Sequence, residues 1–389
     1  MENIVRVIMN LIACEVCGKE IDITQYELSR EELEKLYELS KSHDLAHIVG
    51  NSLIKNGLVS DPELKAGFKK QIMTAVYRYE KLQYELTRLK DVLNEAKIPF
   101  IPLKGSVIRK FYPEPWLRTS CDIDVLVKEK DIERASELLT ERMSYKKERK
   151  GSHDVSLFSE SGIHLELHYS LIEEKRIENA ELLLQSVWDH AAAVSDTYEY
   201  ILSDEMFYYY HIVHMAKHFV ETGGCGIRPF LDVWVLNHRI DFDREKREKL
   251  LSDGGLDVFA KQAEFLSEVW FGNAEHTEIS KQMEEYILRG GVYGTSTNRV
   301  AVQQQKRGGK VKYALSRIFI PYDVIKFHYP ILQKHKWLTP IMEVRRWGKL
   351  IFCGHLKRTV NELKYNGTIS EDSAAEARTL LKNVGLYYG

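Results

Sequence analysis

Over residues 1–97 apolar positions recur every three or four residues, the period of helices with one buried face. Ile4, Val5, Ile8, Leu11 and Ile12 form the first stripe. Ser29 with Glu32, ahead of Leu33, Leu36, Tyr37 and Leu39, has capping-box spacing and predicts a second helix. From Pro62 to Ala96 the residues Ile72, Val76, Tyr79, Leu82, Leu86, Leu89 and Leu93 keep the same step. After Pro62, Gly67 is the only Gly or Pro in that stretch, so one long helix is predicted.

The period then shortens to two. Pro99–Leu103 is a short apolar run that suits a buried strand, followed by Gly105-Ser106 and a short helix. In Asp122–Val127 the acids fall on one face and Ile123, Val125 and Val127 on the other. Asp131–Met143 reads as a helix, and Tyr145–Lys150, His153–Phe158 and Ile163–Tyr169 read as strands. After Ser203 the pattern is helical again, with candidates at Glu205–Val220 and Phe230–Asn237 and an exposed Gly-rich loop from Gly290 to Gly309. The expected class is α+β: a helical region at 1–90, a small mixed-sheet core at 91–190 and a helical region at 191–389.

Composition removes several alternatives. Among 389 residues, 44% are hydrophobic and 29% charged, which excludes disorder along the whole chain, and nine prolines exclude a collagen-like repeat. No apolar run has membrane-span length, and the acidic start Met1-Glu2-Asn3 lacks the basic region of a secretory signal, so a cytoplasmic protein without membrane association is expected. The five cysteines are too few and too scattered for a disulfide framework. Cys14-x-x-Cys17 has the spacing of half a zinc knuckle, but nothing nearby completes four ligands. Residues 301–360 carry thirteen Lys/Arg against Asp323 and Glu343, with aromatics interleaved. That segment is either a docking surface for an anionic partner such as RNA or a subdomain pairing with acidic neighbours in the same chain.

The chemistry concentrates between Lys104 and His168. Asp122 and Asp124, two apart on a strand, project side by side, an arrangement that self-repulsion disfavours and a divalent cation relieves. Gly105-Ser106 stands at a strand-to-helix junction, where backbone N–H groups and a hydroxyl suit phosphate oxygens. Glu166 shares a strand face with His164 and His168 and supplies a third carboxylate to hold a metal or take a proton. The competing reading is a solvated strand face. His211, His214 and His218, with Lys217, lie on one face of a helix that packs on the sheet, lines a nucleotide cleft or offers a zinc pair. Arg228 and Asp232 read most simply as an ion pair within one helix.

The block Leu103-Lys104-Gly105-Ser106, then Arg118 and Asp122-Ile123-Asp124-Val125-Leu126-Val127, with Leu165-Glu166-Leu167-His168 later, resembles the DNA polymerase β-like nucleotidyltransferase superfamily. More narrowly it is similar to an uncharacterised bacterial nucleotidyltransferase family with an LKG…R…DIDLLV block. The resemblance extends through His214-x2-Lys217-His218, Arg228-x3-Asp232 and the region from Tyr329-Pro330 to Trp347. It implies transfer of NMP from an NTP, ATP among them, to an acceptor with release of pyrophosphate. Asp122, Asp124 and Glu166 would bind Mg²⁺ or Mn²⁺, Gly105 and Ser106 the triphosphate, and Lys104, Arg118 and Lys217 would serve as further nucleotide contacts. The interval from Ser106 to Asp122 is longer than in compact members of the superfamily. A non-catalytic nucleotide-binding or interaction module on the same fold is the alternative. The acceptor, whether small molecule, protein or RNA, is not encoded in these motifs.

Overall fold

The computed structural model describes residues 2–22, 25–173, 177–290, 298–300, 304, 309–320, 322, 325–326, 329–352 and 371–386. Helix α1 (Glu2–Ile12) runs into a π-helical turn at Ala13–Cys17 that Gly18 ends at φ 68°. Helix α2 (Arg30–Ser42) begins at the expected capping box, the Ser29 N–H donating to Glu32 Oε2 at 2.9 Å. Next come α3 (Ala46–Lys55) and α4 (Pro62–Glu95), the latter one unbroken helix with Asp61 capping its N-terminus. At the α3–α4 crossing, a Cβ on Gly50 would lie 2.6 Å from the Phe68 ring, so the close approach requires glycine.

Five strands form the main sheet: β1 (Phe100–Pro102), β2 (Asp122–Val127), β3 (Lys146–Lys150), β4 (Asp154–Phe158) and β5 (His164–His168), in the order β1-β2-β5-β4-β3. Only β2 and β5 run parallel; the remaining pairs are antiparallel. Alternation gives the sheet two unlike faces. Ile123, Val125, Val127, Leu165, Leu167, Val155 and Leu157 point to one side and share a core with α4 and with α6 (Ile132–Met143). The other face is polar and carries the site. Strand β3, Lys-Lys-Glu-Arg-Lys and fully exposed, is a charged edge of the kind that discourages further strand pairing.

Between β1 and β2 lies a four-residue helix, α5 (Gly105–Ile108), and after β5 comes the short α7 (Glu178–Leu183). A hairpin of β6 (Ala191–Ala193) and β7 (Tyr200–Leu202) leads to α8 (Asp204–Glu221), α9 (Arg228–Arg239), α10 (Arg244–Asp253), α11 (Asp257–Phe271) and α12 (Glu278–Leu288). Ile8, Leu11 and Ile48 from the N-terminal helices share a second core with Phe219, Phe230 and Phe259 from the later ones. The α+β class and its helical flanks are as the sequence predicts.

Further helices lie at Lys310–Ile318, Ile331–Lys334, Thr339–Phe352 and Glu371–Asn383. Most of the expected 290–309 loop and part of the basic 301–360 segment fall outside the described residues. Within the described part, Glu343 is buried and paired with Arg346, and the Trp347 indole donates to Ile318 O, whereas Phe319 and Trp337 are exposed. Cys14 and Cys17 are half-buried on the π-helical turn, and neither joins a group of three potential metal ligands among the described residues. Cys353 lies outside them. No described helix is long and apolar enough to cross a membrane.

Candidate active site

Parallel pairing sets Asp122 beside His164, Asp124 beside Glu166 and Leu126 beside His168. Neighbouring strands are about 4.8 Å apart, so side chains at paired positions on one face are in reach of each other. The carboxylates therefore converge around Glu166. With Asp122 and His164 it forms one set of potential ligand atoms lying within 4.8 Å, and with Asp124 and His168 a second. Lys104 Nζ reaches in, 2.7 Å from Asp124 Oδ1 and 3.7 Å from Glu166 Oε2. Its backbone is at φ 45°, ψ −122°, a conformation that non-glycine residues rarely adopt and that costs about 1–3 kcal/mol. His168 Nε2 stands 3.0 Å from Asp124 Oδ1 and 3.5 Å from Glu166 Oε2.

These contacts divide the acids. Burial alone would raise the Asp124 pKa, but Lys104 and the His168 hydrogen bond outweigh it and hold the carboxyl well below the usual range. Glu166 is lowered mainly by the His168 hydrogen bond, against the effect of burial. Asp122 makes neither contact. Burial, then the Asp124 charge, push it up to about 6. Burial works against the Lys104 charge, yet the surrounding acids, Asp124 first, keep it protonated far above neutral pH.

A cavity of about 600 Å³ opens over this cluster. Its sheet wall adds Arg149, His153 and Asp154, and its helical wall is built from α8 and α9 with Tyr210, His214, Lys217, His218 and Arg228. The three histidines of α8 and Lys217 all line it. Lys217 is paired with Glu173, and burial lowers its pKa to about 8.

Gly105 lines the cavity too, and packing accounts for the glycine. A Cβ there would lie 2.9 Å from Ser120 Cβ. Ser106 is placed elsewhere, on a separate cleft of about 210 Å³ with Lys110, Tyr200 and Asp204. Successive residues of a helical turn point about 100° apart, so the turn that brings Gly105 to the cavity rotates Ser106 off it. The residue lining the cavity near Gly105 is Ser120, whose hydroxyl accepts from Arg109 Nη2 at 2.8 Å.

Arg118 lines the cavity but spends its guanidinium on Asp232, with Nε–Oδ1 at 2.7 Å and Nη2–Oδ2 at 2.8 Å. The Tyr112 hydroxyl donates to the same fully buried carboxylate at 2.7 Å. The expected pairing of Asp232 with Arg228 inside α9 is therefore corrected. Arg228 turns to Asp44 at 2.7 Å and Thr119 Oγ1 at 3.0 Å. Each arginine gains a partner from another part of the chain, and together they fix α9 against the segment entering β2.

Sequence reasoning passed over His168, His153 and Asp154. His168 carried one signal, its place on the Glu166 face of β5. The other two needed the β4–β5 register, which sets Asp154 opposite His168. Asp154 is buried and its Oδ1 has no hydrogen-bond partner among the described residues.

Two sets of donors could each hold a divalent cation, Asp122 and Glu166 with His164 and Asp124 and Glu166 with His168, and the Lys104 ammonium already lies 2.7 Å from Asp124. The mixed sheet thus carries its acids under a cavity walled by helices. Residues 29–272, well over half of the chain, match the uncharacterised nucleotidyltransferase family, and the protein belongs to that family. None of the curated proteins matches the chain.

Proposed function

We propose that the protein is a metal-dependent nucleotidyltransferase that moves NMP from an NTP to an acceptor and releases pyrophosphate. The observation that carries this reading is the register of β2 and β5, which puts Asp124 beside Glu166 with Asp122 one pleat away. The resemblance to the polymerase β-like superfamily supports it. Asp122, Asp124 and Glu166 would hold Mg²⁺ or Mn²⁺, which when bound neutralises the triphosphate and polarises the reacting phosphoryl group.

The chain's own residues do the rest. Lys104, held against Asp124 on the cavity wall, would offer its ammonium to the negative charge that builds on the leaving phosphates. His168 orients Asp124 and Glu166 through its shared Nε2–H. Gly105 keeps the backbone close to Ser120, and Arg118, tied to Asp232, sets the cavity wall rather than gripping phosphate.

A second reading, a nucleotide-binding module that transfers nothing, draws on Lys104, because an internal cation already satisfies Asp124. One experiment separates the two. Purified protein, Mg²⁺ and each α-labelled NTP are incubated with cell extract, and labelled products and pyrophosphate are measured. Transfer by the wild type that disappears in Asp122→Asn/Asp124→Asn is expected. Transfer that survives the double substitution eliminates the proposed site, and nucleotide binding without any transfer favours the module.

A further inference from the structure

The cavity wall facing the carboxylates holds a second constellation. His214 and His218, one helical turn apart on α8, bring their Nε2 atoms to 3.0 Å with ring planes at 79°. Partners assign the tautomers. Thr222 Oγ1 lies 2.9 Å from both His218 O and Gly224 O, and 3.3 Å from His218 Nδ1. Its single proton goes to a carbonyl, so toward His218 it accepts, and His218 carries its proton on Nδ1. His218 Nε2 is then a lone pair that takes the Nε2–H of His214. What remains is His214 Nδ1, a bare acceptor with no hydrogen-bond partner among the described residues, on a side chain that lines the cavity.

Burial disfavours the imidazolium of both rings, His218 at about 4 and His214 well below its ordinary value, so at neutral pH the His214 Nδ1 lone pair is free and a proton taken there is given up again readily. A proton arriving at His214 Nδ1 makes an imidazolium whose Nε2–H already points at a lone pair. The cations around the cavity show a different pattern. Lys217 is matched by Glu173, Arg118 by Asp232, Arg228 by Asp44 and Arg149, at 3.9 Å, by Asp154. Among the described residues, the wall facing the acids offers a base beside cations that already have acidic partners.

We propose that His214 is the catalytic base on the acceptor side, that His218 is its positioning residue, and that the acceptor reacts through a hydroxyl, since an ionised phosphate or carboxylate oxygen would need no base. This rests on the nucleotidyl-transfer reading and deepens it. The acceptor O–H bond breaks and its proton goes to His214 Nδ1. The freed oxygen pair forms the new bond to the α-phosphorus. The bond from that phosphorus to the bridging oxygen breaks, and its electron pair leaves with pyrophosphate.

The test uses the full chain with Mg²⁺, α-labelled NTP and soluble cell extract as the acceptor source. His214→Ala is expected to lower labelling about 10²–10⁴-fold, while binding of Mn²⁺ with a non-hydrolysable NTP analogue is unchanged and added imidazole restores part of the turnover. His214→Asn, which keeps a polar contact to His218, is expected to show the same loss. His218→Gln, whose side-chain carbonyl still accepts from His214, should retain more turnover than His218→Leu. Phosphorus NMR of the purified product should show a phosphodiester. Wild-type labelling by the His214 variants, a loss that imidazole does not restore, or a phosphoanhydride product overturns the proposal and leaves nucleotidyl transfer standing. Absence of any labelling by the wild type overturns both.

Discussion

Asp232→Asn is the sharpest test of how the site is held. The substitution keeps the shape and the Tyr112 hydrogen bond but removes the charge that two nitrogens of Arg118 grip at 2.7–3.0 Å. Arg118 is then a cation with a side chain only 11% exposed and no counterion. Breaking a buried pair by removing one partner costs about 3–5 kcal/mol. At about 2 °C per kcal/mol, the low end for larger domains, melting should fall by roughly 6–10 °C. Arg118→Met alone leaves the carboxylate stranded and should cost about as much. The double variant Arg118→Met/Asp232→Asn buries no charge and should recover most of the loss, so the coupling by denaturant titration should exceed either single loss, more than about 3 kcal/mol. Single variants that each cost under about 1 kcal/mol, or effects that simply add, would show that the pair is not an interior tie between α9 and the entry to β2.

Two further outcomes follow from packing and burial. Gly105→Ala drives a methyl against Ser120 Cβ at 2.9 Å, and a clash with so short a side chain should cost about 1–3 kcal/mol; Ser120→Gly should recover part of that loss in the same unfolding titration. His43 is fully buried, neither ring nitrogen has a hydrogen-bond partner among the described residues, and burial lowers its pKa to about 4. The native state therefore resists a proton that the unfolded chain accepts below about 6.5. Stability should fall as pH drops from about 6.5 toward 4, by about 3 kcal/mol once complete, and His43→Leu should flatten that part of the pH–stability curve relative to wild type. Equal slopes for the two proteins would refute the assignment.

Local signals carried far along this chain, and their limit is physical. The apolar step from Ile72 to Leu93 had room for one helix only, and α4 runs unbroken from Pro62 to Glu95. Alternation in Asp122–Val127 assigned faces correctly because a strand packed on one side must alternate. The pairing of Arg118 with Asp232, 114 residues away, and of Arg228 with Asp44, 184 away, leaves no periodic trace. The spacing of Arg228 and Asp232 instead suggested the local pair that the fold replaces. His168 was visible as a residue on the Glu166 face, but its place between two carboxylates depends on strand order, which no single strand encodes. Ser106 was misplaced for a local reason: one step along a helical turn is enough to leave the cavity.

On the proposed function, Asp122, Asp124 and Glu166 form one divalent-cation site that nucleotide shares. Titrating Mn²⁺ into purified protein and following the free ion by electron paramagnetic resonance, with and without a non-hydrolysable NTP analogue, addresses it directly. Saturable binding that the analogue tightens, and that Asp122→Asn/Asp124→Asn weakens at least about tenfold, is expected. Mn²⁺ and analogue binding that are independent of each other and untouched by the double substitution would contradict it.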